Sequence, residues 1–160
     1  MALTSAAFAA GPARRQISGA AARLLARALD SGCAITWLAS ERRMAPVAVA
    51  HPGRPEQIWL RALAREDPAG IAGAFGAKVC QTGQPAILCV VWSSLLRLWT
   101  SPVYWPYLER HEVSGLLVLP LCARGTVVGV LTVWREHPRA AFDEGEVQFL
   151  EEVSRRLALC

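Results

Sequence analysis

Two apolar runs joined by a short glycine-bearing turn constrain this chain most. Gly115 to Leu121 and Thr126 to Trp134 are rich in valine and leucine, and Cys122-Ala-Arg-Gly125 between them has the length and the glycine of a hairpin turn. Strands this apolar must be covered on both faces. The pair therefore belongs in the middle of a sheet, with helices or a pocket on each side. The chain has 160 residues, which holds about one domain at the usual ~100–200 residues each. Its 53% hydrophobic content is enough for a core that needs no metal or disulfide staples.

Around that hairpin the pattern alternates helices and strands. Ile17, Ala20, Ala21, Leu24, Leu25, Ala28 and Leu29 recur at three- and four-residue steps, predicting a helix from about Arg14 to Asp30 that Gly32 stops, with Arg23 and Arg27 on its other face. Cys33 to Leu38 and Met44 to Ala50 read as two strands around a turn at Arg42-Arg43. A short helix is expected over Glu56 to Arg65. A second is expected over Ala72 to Gln81, closed by Gly83, and then a strand over Ala86 to Trp92. Tyr104 to His111 predicts another helix. Asp143 and Glu146 form a capping box with Phe142 and Val147 as its hydrophobic staple, so a final helix starts near Asp143 and buries Val147, Leu150, Val153 and Leu157. It meets no stop signal before Cys160.

Several function classes fall away on composition. No apolar run approaches the ~18 residues a bilayer span needs. The Ala-rich Met1 to Ala10 has its arginines after the apolar stretch, the wrong order for a secretion signal, so the chain is expected to be cytoplasmic, with no membrane partner. The net charge is +4, and sixteen of the seventeen cations are arginine, scattered as singles and pairs with no stripe and no interleaved aromatic platform. No nucleic-acid partner is expected on that pattern. The cysteines at 33, 80, 89, 122 and 160 are too widely spaced for a zinc knuckle or a CxxC pair, and mostly buried thiols are expected. Gly70, Gly73 and Gly76 are not followed by Gly-Lys-Ser/Thr, which argues against a phosphate loop. The isolated histidines make no metal site, and no serine elbow or carboxylate pair points to a hydrolase.

The order of elements resembles the GAF domain, a PAS-related sensory module of signalling proteins. Gly70-Ile-Ala-Gly73 through Gln81-Thr-Gly83-Gln-Pro85 looks like the family's Gly-x-x-Gly helix and Thr-Gly-x-Pro turn. Gly115 to Leu121 with Gly125-Thr-Val-Val-Gly129 is similar to its central hairpin, and Phe142-Asp143-Glu144 to its closing segment. The resemblance implies an α+β fold: a central antiparallel sheet of five to six strands, the N- and C-terminal helices on one face, and short helices and loops forming a pocket on the other. Residues 1–13 are then expected to be a flexible segment. Residues 14–160 are expected to form a single sensory domain of a longer bacterial signalling protein, with an effector domain expected beyond Cys160.

Known ligand subclasses of the family are discriminated by residues. Trp134-Arg135 stands where cyclic-nucleotide binders have Asn-Lys, and no cysteine has the adjacent histidine of the bilin binders. The cofactor, if one exists, is unknown. What the resemblance does highlight is the segment over the pocket, where Trp92, Trp99, Tyr104, Trp105 and Tyr107 fall within sixteen positions and His111 follows. These six residues are the candidate ligand-binding set, suited to a planar aromatic molecule or a quaternary amine. The alternative is that the rings fill the cavity, or cover the sheet edge or a partner.

Two other readings stay open. One is a ligand-free module that dimerises through its first and last helices and relays a signal. The other is a thiol enzyme like the free-methionine sulfoxide reductases, should Cys80, Cys89 and Cys122 converge. The expectation is no enzyme, since a strand cysteine is by default inert.

Overall fold

The structure, a computed structural model, describes residues 11–38, 43–89, 91 and 93–160. Its elements in chain order are α1 (Pro12–Leu29), β1 (Gly32–Leu38), β2 (Met44–Ala50), α2 (Arg54–Glu66), α3 (Gly73–Thr82), β3 (Ala86–Leu88) and α4 (Ser93–Trp99). A 3-10 turn (Pro102–Tyr104), α5 (Trp105–Arg110), β4 (Val113–Ala123), β5 (Thr126–Glu136) and α6 (Glu144–Leu157) complete the chain. Of the expected flexible segment, Gly11 is a turn residue and residues 12 and 13 are helical; residues 1–10, and Arg42 of the expected turn, lie outside the described residues.

The five strands form one antiparallel sheet in the order β2-β1-β5-β4-β3. The apolar hairpin β4–β5 lies inside it, as both-face burial requires. Its turn is Arg124-Gly125, both at positive φ (52° and 76°), the left-handed pair of a two-residue hairpin. Alternate residues of the strands feed two cores. On one face Ile35, Leu119, Leu131 and Val133 pack with Leu25 and Leu29 of α1 and Leu150 and Leu157 of α6. On the other Ala34, Val118, Val130 and Trp134 pack with Leu60 of α2, Val79 of α3, Leu96 of α4 and Tyr107 of α5. The terminal helices thus share one face and the short helices the other.

Four details differ from the sequence reading. Asp30, not Gly32, ends α1, in the left-handed conformation at φ 47°. The buried face of α1 is Ser18, Ala22, Leu25, Ala26 and Leu29, while Ile17 and Leu24 are exposed, because the apolar pattern is wider than the groove the helix fills. Among the described residues the strand expected over Ala86 to Trp92 pairs at three, Ala86↔Val118 to Leu88↔Leu116, and residues 90 and 92 lie outside the described residues. The next element is helical, α4 starting at Ser93. Finally, only Cys33 is buried, and Cys89, Cys122 and Cys160 are exposed. The capping box of α6 is present, Asp143 accepting from the Glu146 amide and Glu146 from the Asp143 amide.

Candidate ligand-binding site

The face of the sheet away from the terminal helices carries a cavity of about 70 Å³. Its roof is Leu96 and Trp99 of α4 with Thr100, its sides are Tyr104 and Tyr107 with Ile71 and Phe75, and its floor is Leu116, Thr132 and Trp134 of the hairpin. Trp99 stacks on Phe75 with ring centroids 4.7 Å apart at 16°, closing the roof onto α3. The glycines that resemble a phosphate loop explain this closeness. Gly73 sits at φ 59°, and a Cβ there would lie 2.8 Å from the Trp99 carbonyl oxygen, so only glycine lets α3 start against the roof.

Most polar groups of the wall are engaged. The Thr100 hydroxyl donates to the Leu96 carbonyl (2.6 Å) and the Tyr104 hydroxyl to the Asp67 carbonyl (3.1 Å). The Tyr107 hydroxyl (2.7 Å) and the Trp134 indole N–H (3.1 Å) both donate to Glu136 Oε2. Thr132 differs. It is 2% exposed and its Oγ1 has no hydrogen-bond partner, leaving a buried hydroxyl with unused capacity on the cavity floor.

Behind the cavity Glu136 organises a second layer. His51 Nε2 lies 2.9 Å from Glu136 Oε2, while His51 Nδ1 accepts the Gly53 amide at 2.9 Å, so the ring nitrogen facing Glu136 is the one that carries the proton. His111 Nδ1 is 3.1 Å from Glu136 Oε1, and its ring stacks on Tyr107 at 4.5 Å. Burial works to raise the Glu136 carboxyl, but hydrogen bonds from His51 and Tyr107 and the charges of His51 and His111 outweigh it and hold it below the usual carboxylate range. Burial, with the Glu136 carboxylate beside it, pushes the Tyr107 phenol far above its ordinary value, so it stays a donor.

Of the six sequence candidates, Trp99, Tyr104 and Tyr107 line the cavity. His111 does not; it belongs to the layer behind. Trp105 faces outward, 38% exposed, with its indole donating to the Arg97 and Thr100 carbonyls. Trp92 lies outside the described residues. Phe75, Thr132, Trp134 and Glu136 were not among the candidates. Period-two spacing on β5 is the signal for the last three, since 132, 134 and 136 share one face of an otherwise aliphatic strand.

Beside this site the cysteines do not converge. Cys89 follows the Leu88↔Leu116 pair, whereas Cys122 is six residues further along β4, about 20 Å away at ~3.3 Å per residue. Cys80 lies on α3 with its sulfur 4.0 Å from that of Met44. Burial pushes the Cys33 thiol up to about 12, keeping it protonated.

A five-stranded antiparallel sheet, terminal helices on one face and an aromatic cavity under short helices on the other define the α+β class of domain to which the sequence motifs point. The GAF domain model matches residues 13–160, and the chain belongs to the GAF family. Solved structures share the fold. The GAF domain of an Acinetobacter phosphoenolpyruvate-protein phosphotransferase is 20% identical with a TM-score of 0.65, the match covering 91% of this chain and 80% of that one. The second GAF domain of DevS from Mycobacterium smegmatis is 15% identical with a TM-score of 0.60, covering 91% of each. The type II free methionine-R-sulfoxide reductase from Thermoplasma acidophilum is 13% identical with a TM-score of 0.64, covering 91% and 89%. No curated protein sequence matches the chain. GAF domains are in general regulatory modules, found in multidomain signalling proteins. No helix among the described residues is long and apolar enough to cross a membrane.

Proposed function

We propose that this domain binds a small molecule in the aromatic cavity and passes its occupancy to the terminal helices. The observation that carries this reading is the buried Thr132 hydroxyl, which lines the cavity without a hydrogen-bond partner. An unmet buried polar group costs about 1–3 kcal/mol, which a ligand atom bonded to it would recover. Cavity size sets the terms. At about 70 Å³ it accommodates only a few heavy atoms with the roof shut, far below the ~300–1,000 Å³ of drug-sized pockets. A planar aromatic ligand therefore has to part the Trp99–Phe75 stack.

The same strand supplies a route outward. Arg135, between floor residue Trp134 and Glu136, points to the opposite face, where it donates to the Leu29 carbonyl at the end of α1 and pairs with Glu146 in the first turn of α6. A shift of β5 under a ligand would thus reach both terminal helices, and from them a paired copy or an output domain. The test is thermal denaturation with indole and with choline. A dose-dependent rise in Tm that falls in Thr132→Val supports binding. No shift with either, together with a loss of about 3–5 kcal/mol in Trp99→Ala, marks the rings as filled core.

A ligand-free dimeric relay is the second reading. It is favoured by the exposure of Ile17 and Leu24 on α1 and of Phe149 on α6, an apolar surface on the helices the family resemblance assigns to pairing. Light scattering of wild type and Leu24→Asp decides it: a dimer that the variant dissociates supports pairing, and a wild-type monomer excludes it.

A further inference from the structure

We propose that the cleft between α1 and α2, along the free edge of β2, is an anion site for a compact molecule carrying several phosphate groups. Arginines that are scattered in sequence meet here. On α1, Arg15, Arg23 and Arg27 are spaced by eight and four residues, with Gly19 between the first two, and so lie along one inclined row of the helix. Facing them, α2 presents Arg54, Arg61 and Arg65. Arg15, Arg23, Arg61 and Arg65 line a hollow of about 460 Å³, and Arg23, Arg27 and Arg54 line an adjoining one of about 200 Å³. All six are exposed, and among the described residues no carboxylate lines either hollow.

Several arginines elsewhere pair with carboxylates. Arg97 pairs with Glu109, Arg139 with Asp30, and Arg155 and Arg156 with Glu152. Arg23, Arg27, Arg54 and Arg65 have no carboxylate at ion-pair distance among the described residues. The chain has seventeen cations and thirteen acids, so the six at the cleft account for its whole positive excess and the remaining eleven are outnumbered. Like charges four apart on a helix destabilise it, a cost that bound anion relieves.

The lining also selects the ligand class. Guanidinium groups bind phosphate as planar forks, and several around one hollow match several phosphates rather than a single carboxylate. Gly19, Ala48 and Ala64 between the arginines keep the hollow open. Among the described residues the one ring lining it is His51 at the far end, which gives no platform for successive bases, so the cleft reads charge instead. Arg61 is anchored by its Nε bond to the Val49 carbonyl on β2 (3.4 Å), which fixes one fork over the strand edge.

The test uses the whole chain with sodium tripolyphosphate as probe. Tripolyphosphate should raise Tm in a saturable way, and its apparent affinity should fall at least tenfold between 50 and 500 mM NaCl, as expected for exposed charges. Arg23→Gln/Arg65→Gln should weaken binding at least tenfold and Arg27→Gln alone about threefold, while the charge-matched Arg155→Gln/Arg156→Gln binds as wild type. An equal rise with sodium sulfate at the same ionic strength, or equal loss in the charge-matched variant, overturns the site. Tighter binding per phosphate by oligothymidylate overturns it too, making the cleft a nucleic-acid surface. The cleft lies outside the aromatic cavity, so none of these outcomes bears on ligand binding there.

Discussion

Gly32 and Trp134 face each other across the β1–β5 ladder, and a Cβ at position 32 would collide with the indole. The indole has little room to yield, because its N–H is held by Glu136 and its ring is part of the cavity floor. Gly32→Ala is therefore expected to destabilise the domain by about 1–3 kcal/mol through overpacking, measurable by urea unfolding. It should also shift Trp fluorescence in the folded state, which a purely local backbone effect would not do. The sequence offers this glycine as a helix stop, a role that Asp30 takes in the structure. A glycine's function as space for a ring 102 positions away has no local signature.

Elements were more legible than contacts. The hairpin, β2 and the capped start of α6 stand where their sequence signals put them, the hairpin with a two-residue turn at Arg124-Gly125 in place of the four expected, because each rests on local chemistry: a left-handed turn, a run of Val and Ala, a capping box. α4 did not, since Leu95, Leu96 and Leu98 continue an apolar stretch that period alone cannot assign to strand or helix. Arg135 shows what joins elements once they exist. It is 5% exposed, donates twice to the Leu29 carbonyl and once to Ser31, pairs with Glu146, and lies 4.5 Å over the Phe142 ring. Arg135→Met keeps the length and removes the donors. The expected cost is about 1–3 kcal/mol, since the Leu29 carbonyl keeps only the Ser31 hydroxyl as donor and Glu146 loses its partner, and it is read by chemical denaturation. A ligand response at the cavity that survives this variant, but no longer alters the protection of α6 amides, would place the relay at this side chain.

At the scale of the whole molecule, the sheet with its two unlike faces was readable in advance, and the assemblies across it were not. The arginine cleft joins α1 to α2, and the Glu136 cluster joins the β2–α2 loop, α5 and β5. Each draws on residues more than thirty positions apart, where pairing depends on topology rather than spacing. The Glu136 cluster gives acid stability a definite sign. A carboxyl held below its unfolded value stabilises the fold fully above that value, about 4.3 for glutamate, and the contribution is lost as pH falls through the folded value. Glu146 and Glu152 are lowered as well, by Arg135 and by Arg155 with Arg156, so the total acid slope belongs to several groups. Comparison with Glu136→Gln isolates one. The variant should be less stable than wild type at pH 7, and urea unfolding at successive pH values should show that gap constant down to about pH 5 and closing below about pH 4. A gap independent of pH would mean that His51, Tyr107 and His111 hold position 136 by shape and hydrogen bonding, with its charge contributing nothing to the fold.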